Sequence, residues 1–447
     1  MMRQKSSYVA AVDIGTTKIV SLVGRINENN KLEILGMSKT VSKGVKRGVV
    51  LNIEETVGAI RQTVEEAEKQ SGIQFTDVFV GIAGQHIKSI KNRGYINLGA
   101  DRDEIVQKDV NDLINDMYNI SIDPGEEIIH VLPQNFIVDS ETGVKNPVGM
   151  SGRRLEANFH IVIGQIASAK NIEKCVKRVG LRVDQLILEP LASSSAVLTD
   201  DEKEAGVALI DIGGGTTDVA VFCDDSIRHT AVIPFGGNVI TKDIKEGCKI
   251  LHRQAEALKT QFGSALGDLA PEDKVVTIPG INGREPKEIS FKNLAYIIQM
   301  RMEEIIDAVM FEIENSGCMD KLSAGIVLTG GGALLKHIAQ LVRFHTGMDV
   351  RIGYPIEYLA GHATDEINNP QYATSVGLLL KGWEIINKED GARTKKTEIK
   401  DPEFSSIEEE QEEMLIEAGE NRIGSSIIAA FKKRISGIFE EKGADME

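Results

Sequence analysis

Three short glycine-rich segments carry the residues best suited to chemistry in this 447-residue chain. They are DIGTTK (13–18), DIGGGTTD (211–218) and TGGGALL (329–335). Glycine lets a backbone approach a phosphate, and successive N–H groups then form an anion-binding concavity. Thr hydroxyls add donors, and Lys18 adds a charge suited to a β-phosphate. A carboxylate at a strand end, Asp13 or Asp211, can hold Mg2+ through water. A single D-x-G-x-T turn is an ordinary hairpin. Three glycine runs on strand ends point instead to a polyphosphate clamp. Asp13, Gly15, Thr16, Thr17 and Lys18 form one jaw; Asp211, Gly213, Gly214, Gly215, Thr216 and Thr217 form the other. Gly330, Gly331 and Gly332 join a strand to a helix, which suits a nucleoside lying on a helix N-terminus.

Apolar strands must position these loops. YVAAVDIG and IVSLVGRI flank the first, and GVALIDI and TTDVAVF flank the second. The near-copy begins 198 residues later, which indicates a duplicated framework rather than a short-period repeat. Helical periodicity covers 53–72, 170–179, 191–198 and 294–317, the last stopping at Gly317. The strand AGIVLTGGG leads into a further expected helix, ALLKHIAQLVRFHTG. Alternating strands and helices predict an α/β fold with duplicated mixed sheets.

Composition excludes several classes. Asp plus Glu number 67 against 51 Lys plus Arg, so the net charge of −16 leaves no general footprint for nucleic acid. The four cysteines form no C-x-x-C pair, which argues against a zinc site or a disulfide framework. Polar residues interrupt the N-terminus too early for a signal peptide. No apolar run reaches the roughly 18 residues that a bilayer span needs.

The tail differs. Asp401 to Asn421 holds nine acidic residues and no basic one, the composition of a solvated linker, set at 389–422. Residues 423–441 then place Ile427, Ile428, Phe431, Ile435, Ile438 and Phe439 on one helical side, with Lys432 and Lys433 at its margin. That is the pattern of an interfacial membrane helix, the alternative being a tail helix that docks on the protein's own core or on a partner. Half-burying six such side chains yields roughly 5–9 kcal/mol, and each cation adds about 1 kcal/mol on an anionic leaflet. One helix binds marginally, so a filament presenting many gains by effective concentration.

The order of the loops resembles the actin-like ATPase superfamily, whose two lobes hold ATP and Mg2+ between them. Longer phrases narrow the likeness: KNPVGMSGRRLEANFHIV (145–162), KRVGLRVDQLILEPLASS (177–194), IRHTAVIPFGGNVITKDI (227–244) and YATSVGLLL (372–380) resemble FtsA, a family of actin-like bacterial cell-division proteins. The resemblance implies a two-lobed, ribonuclease H-like fold. Subdomain 1A would be 1–83 with 165–199 and 370–388, and the insertion 1C would be 84–164. Subdomain 2A would be 200–234 with 302–369, and 2B would be 235–301. It further implies that Glu256 and Lys259, three apart on a helix face, contact adenosine. Glu189 would orient an attacking water, with Asp211 the catalytic carboxylate; the plain alternative for Glu189 is a helix-capping carboxylate. Hydrolysis needs that water as well as a bound metal, so turnover is a separate question from binding, and the expectation is at most a weak ATPase.

The implied partners are the FtsZ C-terminal tail through 2B, further copies of the chain in protofilaments, membrane lipid through the last helix, and other division proteins through 1C. The implied location is the septal ring at the cytoplasmic face of the membrane. A pilus-assembly actin homologue and a metabolite kinase are the rival readings.

Overall fold

The computed structural model describes residues 8–99, 104–280, 285–355, 358–360 and 366–398. The linker beyond 398 and the helix at 423–441, with all its membrane residues, lie outside them. Contacts divide the chain into Met1–Glu384 and Ile385–Glu447, and the sheets below belong to the first unit.

Two five-stranded mixed sheets repeat one plan. In the first, Val9–Ile14 lies at the centre. It pairs antiparallel with Lys18–Ile26, placing Asp13 opposite Val20, and parallel with Asp77–Ile82. Leu32–Val41 and Arg182–Leu188 complete the sheet. In the second, Val207–Ile212 is central. It pairs antiparallel with Thr217–Cys223, placing Asp211 opposite Asp218, and parallel with Ile326–Thr329. Ser226–Ile233 and Val350–Ile352 complete that sheet. Both central strands are buried along their whole length, as strands covered on two faces must be.

Helices supply the cover. Ile53–Ser71 begins at Asn52, whose side chain accepts from the Glu55 N–H. Phe291–Ser316 starts three residues before the expected 294, because the Ser290 side chain accepts from the Asn293 N–H and caps it there. Residues Leu294, Ile298, Met302, Ile305 and Val309 of this helix recur at helical spacing and are buried against the second sheet's core.

A third sheet is inserted within the first half, between its strands Asp77–Ile82 and Arg182–Leu188. Its antiparallel order is Lys88–Asn97, Arg154–Gln165, Glu126–Val138, Glu141–Val144. With helix Gln107–Asp116 it encloses its own core around Leu113, Leu155, Phe159 and Ile161. It also touches the second sheet's edge strand. The Ser226 hydroxyl donates to the Gln134 carbonyl at 2.7 Å, and His160 Nε2 meets Thr230 Oγ1 at 2.8 Å.

Two expectations need correction. Residues after the third glycine run form a 3-10 turn, Gly331–Leu334, and the α-helix is only Ile338–Thr346. Gly330 at φ +82° and His337 at φ +65° interrupt helical geometry on both sides of the turn. The last described helix, Ala373–Glu398, runs past 388 into the expected linker, where Glu, Ala, Arg and Lys favour helix.

Ile298 and Met300 share the helix Phe291–Ser316, but Ile298 is 0% exposed and Met300 65%. Ile298→Ala should cost about 2–4 kcal/mol and Met300→Ala under about 0.5 kcal/mol. Urea denaturation followed by circular dichroism checks the difference.

Candidate functional site

Both hairpins turn at the same end of matching central strands, so their loops meet across a cleft. The approach is close. A Cβ added at Gly214 would lie 2.2 Å from Thr17 Cγ2, so any larger residue would have to displace Thr17. Gly330 is equally constrained: its φ is +82°, and a Cβ there would stand 2.2 Å from Asp211 Oδ1. Gly331 faces open space.

The cleft holds two confluent cavities. One, of about 550 Å³, is lined by Asp13, Gly15, Thr16, Thr17, Lys18, Glu189, Asp211, Gly213 to Thr216, Asp218, Gly330 and Gly331. The other, of about 530 Å³, is lined by Gly237, Glu256, Lys259, Phe262, Gly332 and Leu334 among others. Thr17, Gly213, Gly214, Gly331 and Gln371 border both. Nearly every sequence-predicted cleft residue therefore converges. Thr217 does not: it is fully buried and its hydroxyl donates to the Phe235 carbonyl at 2.9 Å.

Hydroxyls hold the two strand-end carboxylates. Ser375 donates to Asp13 at 2.6 Å, while Ser193 and Thr374 donate to Asp211 at 2.7 and 3.0 Å. Consecutive residues of one segment thus tie both lobes. Lys18 Nζ donates to the Gln371 carbonyl at 2.6 Å and stands 5.3 Å from the centre of the buried Tyr372 ring. Lys259 donates to the Gly237 carbonyl at 2.9 Å and pairs with Glu256 at 2.8 Å, so this pair belongs to the cavity wall rather than the open surface.

Sequence reasoning missed Asp218, Ser193, Gln371, Tyr372, Thr374 and Ser375 as site residues. Asp218 had a signal. It closes the repeat DIGGGTTD as a second carboxylate, and in the matching register its counterpart opposite the strand-end Asp of the first lobe is the apolar Val20. Ser193, Thr374 and Ser375 had none, because Ser and Thr in a helix pattern commonly bond their own backbone.

Charge is unbalanced here. Asp13, Glu189, Asp211 and Asp218 face the cavity with Lys18 as the nearest cation among its lining residues. Burial pushes the Asp13 and Asp211 carboxyls above their ordinary range. It pushes Glu189 and Asp218 well above it, and Asp211 adds to both. Burial lowers the Lys18 ammonium, against the pull of Asp13 and Asp211. Asp218 Oδ1 is buried without a hydrogen bond. Glu189 is the first residue of helix Glu189–Val197 and packs against Gly81 at the end of strand Asp77–Ile82. Among the described residues no three His, Cys, Asp or Glu gather as a direct metal cage. Separated acidic oxygens with spare lone pairs fit a hard divalent cation held through water and phosphate oxygens.

The family model described as Cell division protein FtsA matches residues 208–377, and that described as SHS2 domain inserted in FTSA matches 84–163. The chain is 41% identical over 379 residues to the cell division protein FtsA of Pseudomonas aeruginosa, covering 85% of this chain and 90% of that one. The chain belongs to the FtsA family. Its counterpart in Escherichia coli K12 is 37% identical over 385 residues, covering 84% of this chain and 90% of that one. The FtsA-family chain is thus an actin-like cell-division protein. Among solved structures, the PilM-PilN type IV pilus biogenesis complex matches with a TM-score of 0.61 at 13% identity, covering 85% of this chain and 99% of that one. MreB5 of Spiroplasma citri bound to ADP matches at 0.53 and 14% identity, covering 87% and 99%. At those identities the likeness is one of fold alone.

Glu189 supplies a test of the charge imbalance. Its raised carboxyl keeps a proton in the folded chain at pH values where the unfolded chain has lost it, so stability falls as pH rises above about 4.5. Glu189→Gln removes that penalty. In metal-free and nucleotide-free buffer its melting temperature should exceed wild type at about pH 8, with the gain vanishing near pH 4.5. Scanning calorimetry at both pH values checks this.

Proposed function

We propose that the chain is an ATP- and Mg2+-binding, filament-forming adaptor that tethers FtsZ polymers to the inner face of the cytoplasmic membrane at the division septum. The observation that carries the nucleotide reading is the pair of glycine loops touching across a cleft rich in under-partnered carboxylates. Donor loops suit phosphate oxygens; the carboxylates suit the cation that accompanies them. Asp13, Gly15, Thr16, Thr17 and Lys18 take one side of the phosphates, and Asp211 with Gly213 to Thr216 takes the other. Gly330, Gly331, Gly332, Glu256 and Lys259 seat the adenosine.

Asp13 or Asp211 holds Mg2+ through water, and Asp218 can share that task. The ion supplies charge neutralisation for the triphosphate. Glu189, which lines the same cavity, would orient a water there. Its raised carboxyl makes it a modest base once a cation enters, and turnover is slow.

The remaining assignments rest on family membership and on the tail. Subdomain 2B, at 235–301, takes the FtsZ tail. The insertion at 84–164 serves filament contacts and other division proteins. Residues 423–441 anchor to lipid at the end of the linker. Among the described residues no helix is long and apolar enough to cross a membrane. A pilus-assembly role is the weaker reading: that likeness is 13% identity, against 41% for a division protein.

Two measurements test this. Lys18→Ala should weaken Mg·ATP binding more than tenfold in calorimetry, since it strips a buried charge from its partners. Deleting 423–447, or Phe431→Glu, should abolish sedimentation with anionic liposomes while leaving ATP affinity unchanged.

A further inference from the structure

The chain holds 67 carboxylates, yet none falls between Ile34 and Ile53. That stretch carries four cations instead: Lys39, Lys43, Lys46 and Arg47.

Its path explains why this matters. Lys39, Thr40, Val41 and Gly48 line the larger cavity. The Ser42 N–H donates to the Thr17 carbonyl at 3.0 Å, and the Gly48 N–H donates to Thr16 Oγ1 at 3.1 Å. The segment is thus bonded to the first phosphate loop and borders the cleft at residues 39–41 and 48, and the stretch between them, with Lys43 and Lys46, runs into the small hairpin Val45–Lys46 and Val49–Val50. Two of its cations are engaged. Lys39 bonds Glu366 and the Tyr372 hydroxyl at 2.5 and 2.9 Å, and Arg47 stands 6.0 Å from the Phe235 ring centre. Lys43 and Lys46 are exposed and make no ion pair among the described residues.

A nucleoside triphosphate approaching this chain meets repulsion twice, from a net charge of −16 and from four cleft carboxylates. A cationic rim at the mouth reverses the field over the last stretch of the approach, about one Debye length or 10 Å at 0.1 M salt. We infer that Lys43 and Lys46 are an electrostatic capture rim for nucleoside polyphosphates, raising the rate of entry into the cleft without touching the bound nucleotide. This rests on the nucleotide reading proposed above. The unpaired ammonium groups stay in solvent, act on the free ligand and lose influence once phosphates reach the glycine loops.

The test uses the full chain, Mg2+ and a fluorescent ATP analogue in stopped flow, from about 20 to about 300 mM KCl. Lys43→Gln with Lys46→Gln is compared with wild type and with a second double variant, Lys108→Gln with Lys170→Gln. The latter removes two exposed charges elsewhere. At low salt the rim variant should associate roughly fivefold more slowly and show a shallower salt dependence. Its dissociation rate should stay within about twofold of wild type, because capture changes on-rates. The control variant should match wild type in both. An unchanged on-rate in the rim variant overturns the inference. Equal slowing in both variants overturns it too, since net charge alone would then suffice. Faster dissociation with unchanged association would make Lys43 and Lys46 direct contacts. A wild-type chain that binds no analogue at any salt overturns the cleft reading and the rim with it.

Discussion

Four carboxylates facing one cavity, with Lys18 beside them and Lys39 at its edge already paired with Glu366, are the constraint on which the rest of the structure depends. Like charges that share a low-dielectric site cannot all ionise at little cost. Protons can occupy the site, as the raised carboxyls of Glu189 and Asp218 indicate, or a divalent cation can. The second solution brings an anionic ligand with it, because the cation needs more oxygens than separated carboxylates give. The proposed ligand, a metal with a polyphosphate, would meet both demands together.

The duplicated sheets make such a cleft geometrically inevitable. Each lobe ends its central strand in Asp, and each hairpin returns at once, so both carboxylates point out of the same end of equivalent sheets. Close contact of Gly214 with Thr17 then sets the gap between the jaws. The segment that starts helix Ala373–Glu398 ties them from below, giving Thr374 to Asp211 and Ser375 to Asp13. Adjacent residues of one segment thus hold the strand-end carboxylates of both lobes.

Much of this was legible in the sequence. Apolar runs ending in Asp-x-Gly announced the two central strands, and the 198-residue offset announced the duplication. Both are local patterns with an unambiguous period. What escaped was set by tertiary context. Ser193, Thr374 and Ser375 look like ordinary helix residues until the fold brings them within 3.0 Å of a carboxylate. The helix expected after the third glycine run failed because His337 adopts a left-handed backbone, which side-chain periodicity cannot reveal. Asp218 could have been found by asking why the second hairpin returns on an acid where the first returns on the apolar Val20.

The most direct measurement is calorimetric titration of ATP into the full chain at pH 7, with and without Mg2+, in two buffers of different ionisation enthalpy. Cation-filled carboxylates must give up the protons that their raised pKa values let them keep, so Mg·ATP should bind far more tightly than free ATP and release protons on binding. Equal affinity with and without Mg2+, with no proton exchange, would contradict the requirement for a cation in the cleft.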